Sequence, residues 1–401
     1  MNHYDAIVLG AGGVGSAVML HLARRGARVL GIDRFHPPHD RGSSHGHTRV
    51  IRQAYFEHPD YVPLLVESYR LWRELEQQVG RHLFHQVGLI QAGPPEGHVV
   101  PGALRSAAQH NLAVEQLSAN EIEKRWPGLR AAHHLIGAYE PGAGYLLVED
   151  CVRAHLDAAR AAGAEFLGET EVEAWSASGD EVRVKTARGE FTANRLVITA
   201  GAWAGRNLLP LPMGEGRGEG AQSPKSPNPN PLPKGEGTIK LTVRRKSLFW
   251  FEAAAAEYEV ANGFPVFLFE LPHGVFYGFP KLDARGVKVA EHSGGRTVND
   301  PLVVDRSIDR DERERLIQFL SAHLPGVSNK VMDHAVCLYT MSPDENFIVD
   351  RHPAHSNVVF AAGLSGHGFK FVPVLGRALA ELALDGGTKL PIGFLSLGRL
   401  V

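Results

Sequence analysis

The sequence predicts an α/β protein of two domains, one of them a doubly wound dinucleotide-binding unit. Three observations carry this. An apolar β pattern at residues 5–9 runs into a Gly-rich turn and then a helical pattern. The same succession of strand, Gly-rich loop and helix recurs near the other end, at 358–362, 363–370 and 372–384. And 401 residues are long for a single hydrophobic core.

The first unit is the more specific. Gly10, Gly12 and Gly15 form G-x-G-x-x-G, with a strand before and a helix (17–25) after, stopped at Gly26. Gly10 allows the tight turn, Gly12 lets a pyrophosphate approach the backbone, and Gly15 lets helix and strand pack closely. The helix N-terminus offers free N–H groups to phosphates. A second β run, 28–32, ends in Asp33, placed to accept hydrogen bonds from a ribose diol.

Composition narrows the class. Basic and acidic residues number 42 and 44, a net charge of -2, with no basic stripe for nucleic acid and no acidic tail. Two cysteines, Cys151 and Cys337, give no disulfide framework and fit a reducing compartment. No uninterrupted apolar run reaches the ~18 residues of a membrane span. The first strand begins almost at the N-terminus, so no signal peptide is expected, and a cytoplasmic enzyme without a metal site is the expectation.

Along the chain, 34–49 reads as a polar loop rich in His and Arg. Residues 61–78 have helical periodicity, 83–91 holds strands, and 101–109 is helical. Ser118-Ala-Asn-Glu121 resembles a capped helix start. A helix at 149–163 carries Cys151, followed by strands at 165–167, 171–176, 181–186 and 191–199. The last closes on Ala200-Gly201, a small-residue turn that lets backbone approach a nucleotide. Residues 210–237 are low-complexity, with Pro-Leu-Pro-Met-Gly-Glu-Gly echoed by Pro-Leu-Pro-Lys-Gly-Glu-Gly. They read as a disordered, dispensable surface insertion. Strands resume at 239–251, 264–271, 275–278 and 286–291. A helix at 309–324 precedes strands at 333–339, 347–350 and 358–362.

FAD fits better than NAD, because no second nicotinamide-type half follows and the Gly-rich C-terminal unit returns to the sheet after a long excursion. Several motifs then become specific: Gly42-Ser-Ser-His-Gly-His-Thr-Arg-Val-Ile-Arg52, Tyr277-Gly-Phe-Pro280 with Lys288 and His292 behind it, Ala335-Val-Cys-Leu-Tyr339, Ser342-Pro-Asp-Glu-Asn-Phe-Ile-Val-Asp350, and Gly363-Leu-Ser-Gly-His-Gly-Phe-Lys-Phe371. In these the chain resembles the monomeric sarcosine oxidase and N-methyl-L-tryptophan oxidase family, almost end to end. The 330–371 block, Arg125-Trp-Pro and His292-Ser-Gly-Gly look closer to the N-methyltryptophan branch.

The resemblance implies a two-domain flavoprotein: a Rossmann-type FAD-binding domain from 1–83, 146–205 and 333–390, and a mixed-sheet substrate domain from 84–145 and 238–332. It implies a monomer with FAD attached through an 8α-S-cysteinyl bond at Cys337. Further cofactor contacts are implied at Thr48, Val172, Ala200, Gly201 and Gly368, with His45 and Arg49 beside the isoalloxazine. Arg52 and Lys370 match the pair that holds the substrate carboxylate, and Lys288 the lysine that speeds reaction with oxygen. Tyr277, His292, Tyr339 and Gly366 match the substrate cavity. The implied reaction converts an N-methyl amino acid and oxygen to the amino acid, formaldehyde and hydrogen peroxide. The residue types suit this, since a guanidinium and an ammonium clamp a carboxylate and a cation stabilises charge on reduced oxygen.

Alternatives stay open at this point. One is an oxidase of cyclic or primary amino acids such as pipecolate or glycine; another is an FAD-binding protein without oxidase activity. Ser44 and His47 stand where the family usually has a histidine and an acidic residue. For Lys288, a solvent-facing strand position is the competing reading, and for Arg49 and Arg52 a shared helical face making ion pairs. His292 as a satisfied polar residue is a third, and Cys151 reads as structural.

Overall fold

The protein is described by a computed structural model over residues 3–208 and 240–400; the expected insertion at 210–237 lies outside the described residues. Two eight-stranded sheets organise it. In the first, His3–Leu9 lies between Val29–Ile32 and Gly189–Ile198, parallel to both, and Glu165–Leu167 extends the parallel edge beyond Val29–Ile32. Strand Gly189–Ile198 has two partners on its far side. Its first half pairs antiparallel with Glu181–Thr186, its last residues parallel with His355–Ala362. The strand–turn–helix units of the two ends of the chain therefore meet in one sheet, as the sequence predicts.

Helices Gly13–Arg24, Val62–Val79, Val148–Ala161 and Val372–Asp385 pack together in one apolar cluster containing Val18, Leu64, Trp72, Leu156 and Leu375. In Val62–Val79 the buried positions are Val62, Leu64, Leu65, Ser68, Leu71, Trp72 and Leu75, a stripe of helical period. Gly80, at φ 64°, ends it in the left-handed conformation that glycine adopts freely. Cys151 is fully buried in the same cluster, where burial raises its thiol pKa, so it is structural as expected.

The second sheet runs in the order Val327–Met341, Thr242–Ala253, Val287–Glu291, Gly274–Phe279, Val266–Leu271, Leu89–Gly93, Ile136–Glu140, Glu115–Ser118. Its two faces differ in chemistry. Phe249, Phe251, Phe267, Phe269, Phe276, Val287 and Val289 form an apolar face against Leu316, Phe319 and Leu320 of helix Arg310–His323. Residues directly opposite in an antiparallel ladder share a face. The register pairs Arg244 with Tyr339, Lys246 with Cys337, Leu248 with Ala335, Trp250 with Lys288, and Lys288 with Phe279. Tyr277 pairs with Ala290 on that same face, so four residues singled out in the sequence, Cys337, Tyr339, Lys288 and Tyr277, line one side of one sheet.

The structure corrects several expectations. Residues 48–51, expected to lie at the edge of an irregular loop, form strand Thr48–Ile51, the edge of a three-stranded sheet with Gly144–Leu147 and Phe84–Gln86. Arg49 is thus on a strand and shares no helical face with Arg52. The strand expected at 333–339 extends over Val327–Met341 and pairs with Thr242–Ala253. A domain boundary at 333 therefore falls within a strand of the second sheet, and Cys337 belongs to that sheet. Ser118 carries the expected capping box with Glu121. Among the described residues no helix is long and apolar enough to cross a membrane.

Candidate active site

The Gly-rich turn is built by close backbone contact. A side chain at Gly10 (φ 90°) would stand 2.7 Å from Thr199 O, and one at Gly15 would collide with Gly10 O. Gly12 instead faces open space, which leaves its backbone approachable. Asp33 is buried, and each carboxylate oxygen accepts one amide, Oδ2 from Ala11 at 2.7 Å and Oδ1 from Phe35 at 2.9 Å. Those bonds fix the carboxylate and leave lone pairs for a diol.

From here a cleft runs to Tyr339 and Gly366. Of the predicted residues it brings to its wall Gly10, Gly12, Asp33, Arg49, Val172, Ala200, Gly201, Tyr339, Gly366 and Gly368. It is also lined by Phe35, His39, Ser43, Ser44 and Trp203, which sequence reasoning did not assign as binding residues. Ser44 Oγ accepts the Gly13 N–H at 3.3 Å, at the helix N-terminus. Trp203 Nε1 is buried without a hydrogen-bond partner although the side chain lines the cleft. A buried donor left unpaired costs about 1–3 kcal/mol, so this indole is provisioned for a ligand acceptor. The signal for Trp203 was its place directly after Ala200-Gly201-Ala202.

Behind the cleft wall lies a charged cluster. Cys337, 1% exposed, has Sγ 3.1 Å from Arg49 Nη2 and 3.4 Å from Ser43 O. Burial pushes its thiol up. Arg49, His45 and Lys288 together overcome that and bring it to about 6. His45 is 5% exposed and its Nε2 has no hydrogen-bond partner. Lys288 is 2% exposed, so it does not face solvent. Its Nζ donates to Gly46 O (2.6 Å), Thr48 O (3.0 Å) and Thr48 Oγ1 (3.1 Å) and lies over the Phe279 and Trp250 rings. Burial, reinforced by Arg49, lowers its pKa well below that of an ordinary lysine. Thr48 does not line the cleft; the structure places it as a partner of Lys288.

A second cluster gathers the residues expected to bind a carboxylate. Arg52 is 3% exposed and makes a two-pronged bond to Glu57, 2.7 Å to each oxygen, with its guanidinium 4.2 Å from the Tyr55 ring centre. Burial opposes ionisation of Glu57, but Arg52, with His367 and Lys370, holds it at about 2. Lys370 donates to His367 O at 2.8 Å. Burial, reinforced by Arg52, lowers it to about 7. Glu57 was not singled out in the sequence, though five residues after Arg52 is a short reach for a partner. Nearby, His292 Nδ1 stands 3.3 Å from Tyr339 Oη, and the Tyr277 and His292 rings are 6.3 Å apart. Burial, with Lys246 adding to it, keeps His292 neutral, its pKa lowered to about 3. A side chain at Gly366 (φ 82°) would collide with the Tyr339 ring, so glycine there lets that ring meet the cleft.

Over 400 residues the chain is 38% identical to a monomeric sarcosine oxidase of Bacillus sp. (strain B-0618), covering 99% of this chain and 96% of the relative. It is 40% identical over 403 residues to one of Streptomyces avermitilis, covering 99% and 98%. With an N-methyl-L-tryptophan oxidase of Yersinia pestis (strain Pestoides F) the identity is 35% over 399 residues, 99% of both. The sarcosine oxidases are thus slightly nearer, and the leaning toward the N-methyltryptophan branch finds no support there. The fold superposes on NikD, an unusual amino acid oxidase essential for nikkomycin biosynthesis, with TM-score 0.82 and 25% identity over 99% and 98% of the two chains. Glycine oxidase from Geobacillus kaustophilus shares the fold with TM-score 0.77 at 20% identity, covering 100% of both. The family described as FAD dependent oxidoreductase matches residues 5–382, and the chain belongs to that family.

Proposed function

We propose that the protein is an FAD-dependent oxidase of N-methyl amino acids, of sarcosine or N-methyl-L-tryptophan type, producing the amino acid, formaldehyde and hydrogen peroxide from substrate, oxygen and water. The observation that carries the reading is the gathering of cations on and behind the cleft wall: half-buried Arg49 on the wall with buried Lys288 behind it, and buried Arg52 with buried Lys370 in the second cluster. The residues fit FAD, since the glycine turn, Asp33 and the unpaired Trp203 indole answer to a dinucleotide. Bound there, FAD supplies two-electron oxidation and reaction with oxygen.

The chain's own residues supply the rest. Arg52 and Lys370 bind the carboxylate, which competes with Glu57 for the guanidinium. Tyr339, His292 and Tyr277 wall the amine and exclude water. The neutral His292 adds no positive charge, which suits an amine bound in its neutral form. Lys288, in its protonated form, sets a positive charge by the redox site, where it would stabilise reduced oxygen. Cys337, with a thiol at about 6, is ionised at neutral pH and is the nucleophile we assign to covalent flavin attachment.

We further propose a cytoplasmic monomer with the domain division given above, residues 333–341 being shared between the domains. The experiment is a peroxide and formaldehyde assay of the purified protein with sarcosine, N-methyl-L-tryptophan and pipecolate. Formaldehyde from an N-methyl substrate supports the reading. Peroxide without formaldehyde, from pipecolate alone, selects the oxidase of cyclic or primary amino acids, and no peroxide from any of the three defeats oxidase activity.

A further inference from the structure

The active face of the second sheet contains a buried lysine to which no role has yet been given. Lys246 is 4% exposed and lies opposite Cys337 in the ladder, beside Tyr339. Its Nζ donates to His292 O at 2.8 Å and Ser293 O at 2.5 Å. The same ammonium stands 5.1 Å from the centre of the Tyr339 ring. Two walls of the substrate cluster, the His292 backbone and the Tyr339 ring, are thus held by one side chain, and they meet each other through the His292 Nδ1–Tyr339 Oη contact.

The surroundings are built for this. Among the described residues Lys246 has no carboxylate within ion-pairing distance. Glu291 is taken by Arg315 at 2.9 Å and by the Ser293 hydroxyl at 3.0 Å, and Glu312 pairs with Arg245 at 2.6 Å. The turn after His292 wraps the lysine stem. Gly294 and Gly295 have φ 66° and 98°, and a side chain at Gly295 would come within 3.2 Å of Lys246 Cε. A buried ammonium without an anion is costly, and an apolar side chain of similar length would satisfy packing alone. Burial lowers the ammonium to about 8, so the charge persists at neutral pH. Two backbone carbonyls and an aromatic face are a set of partners that a cation satisfies and a methionine does not.

We propose that Lys246 is a positioning residue of the substrate site, fixing His292 and Tyr339 in the relation that receives the amine end of the amino acid. This rests on the amino-acid-oxidase reading of the site. Lys246 touches neither the carboxylate clamp nor the Arg49–Cys337 pair through any hydrogen bond, so its effect falls on binding and not on cofactor retention.

The test is a Lys246→Met holoenzyme, with Lys246→Arg as the conservative variant. The probe is trimethylglycine, which carries the carboxylate and methylated nitrogen but cannot be oxidised to an imine. Binding is followed by perturbation of the flavin spectrum and compared with the rate of anaerobic flavin reduction by saturating sarcosine. The expected result is a Kd for trimethylglycine and a KM for sarcosine each raised about 10-fold, the size of one lost charge-assisted contact. Reduction rate, flavin content and melting temperature stay within about twofold or a few degrees, and Lys246→Arg restores most of the affinity. An unchanged Kd in Lys246→Met overturns the proposal, as does an equal loss in Lys246→Arg. Should Lys246→Met not fold, Lys246→Gln, which keeps a donor but no charge, decides by the same Kd. Failure of wild-type protein to be reduced by sarcosine defeats the functional reading alone, because the trimethylglycine titration still reports on Lys246.

Discussion

The two ends of the proposed site are built by opposite means. At the nucleotide end the work is done by backbone and by the absence of side chains: Gly10, Gly12 and Gly15 clear the way, and the charged group Asp33 is already tied to two amides. At the far end it is done by buried charge. Arg52, Lys246, Lys288 and Lys370 are each at most 5% exposed, and among the described residues only Arg52 of these has a carboxylate partner. The comparison teaches that a dinucleotide can be held by a rigid contiguous turn, whereas redox chemistry needs cations kept desolvated, which a sheet face assembled from distant strands provides.

Predictions follow the contrast from the largest effect down. Gly15→Val drives a branched side chain into Gly10 O, and we expect loss of bound FAD and of the fold's cooperativity, read by flavin content and thermal unfolding. Retained flavin would show that the turn is more plastic than its contacts imply. At the other end, Lys288→Met removes a cation without touching the turn. The expected result is a fall of about 10²–10³-fold in the reaction of reduced enzyme with oxygen, the scale of one lost electrostatic contact, with anaerobic reduction little changed. Equal losses in both half-reactions, measured by stopped flow, would refute the assignment.

Lys370→Met should raise KM by about 10–100-fold, the equivalent of a lost charged hydrogen bond, without loss of flavin. The wild type carries a related pH signature. Lys370 is charged below about 7 and neutral above it, and a bound carboxylate raises that pKa, so carboxylate affinity should weaken as pH rises above about 7 and level off above the higher pKa of the complex. A KM flat with pH in wild type and variant alike contradicts the role. Cys337 has the opposite sign: its pKa is depressed to about 6, so the thiolate is present above that pH and is lost below it. Covalent incorporation of FAD into apoprotein should therefore slow about 10-fold per pH unit below the midpoint. Arg49→Gln should move the midpoint upward, and an unmoved midpoint would remove Arg49 from the account. The smallest effect is a control far from both ends. Ser118→Ala breaks a capping box and should cost about 1 kcal/mol of stability with unchanged turnover, checked by denaturant unfolding.

The same contrast explains what the sequence made legible. The glycine turn is contiguous, so strand, turn, helix and Asp33 could be read together within about 30 residues. Helices with a clear apolar stripe, such as Val62–Val79, were legible for the same local reason. The far end was legible only through resemblance, because its residues meet by register across four strands. Lys246 follows Arg244 and Arg245, and a basic run of that kind reads as a solvated face; burial becomes evident only when the strand is placed between Val327–Met341 and Val287–Glu291. Thr48–Ile51 was hidden because its partner, Gly144–Leu147, lies about a hundred residues away and its own stretch is polar. Trp203 and Glu57 belong to no motif of their own, and what marks them, an unpaired indole and an ion pair with Arg52, is visible only in the folded chain.

The central claim is that this cleft couples oxidation of an N-methyl amino acid to oxygen. The most direct measurement is anaerobic mixing of the purified flavoprotein with sarcosine, followed by admission of air. The yellow flavin absorbance should bleach without oxygen and return with air, and formaldehyde and peroxide should form in equal amounts. Flavin that stays oxidised under excess sarcosine and under excess N-methyl-L-tryptophan would contradict the claim.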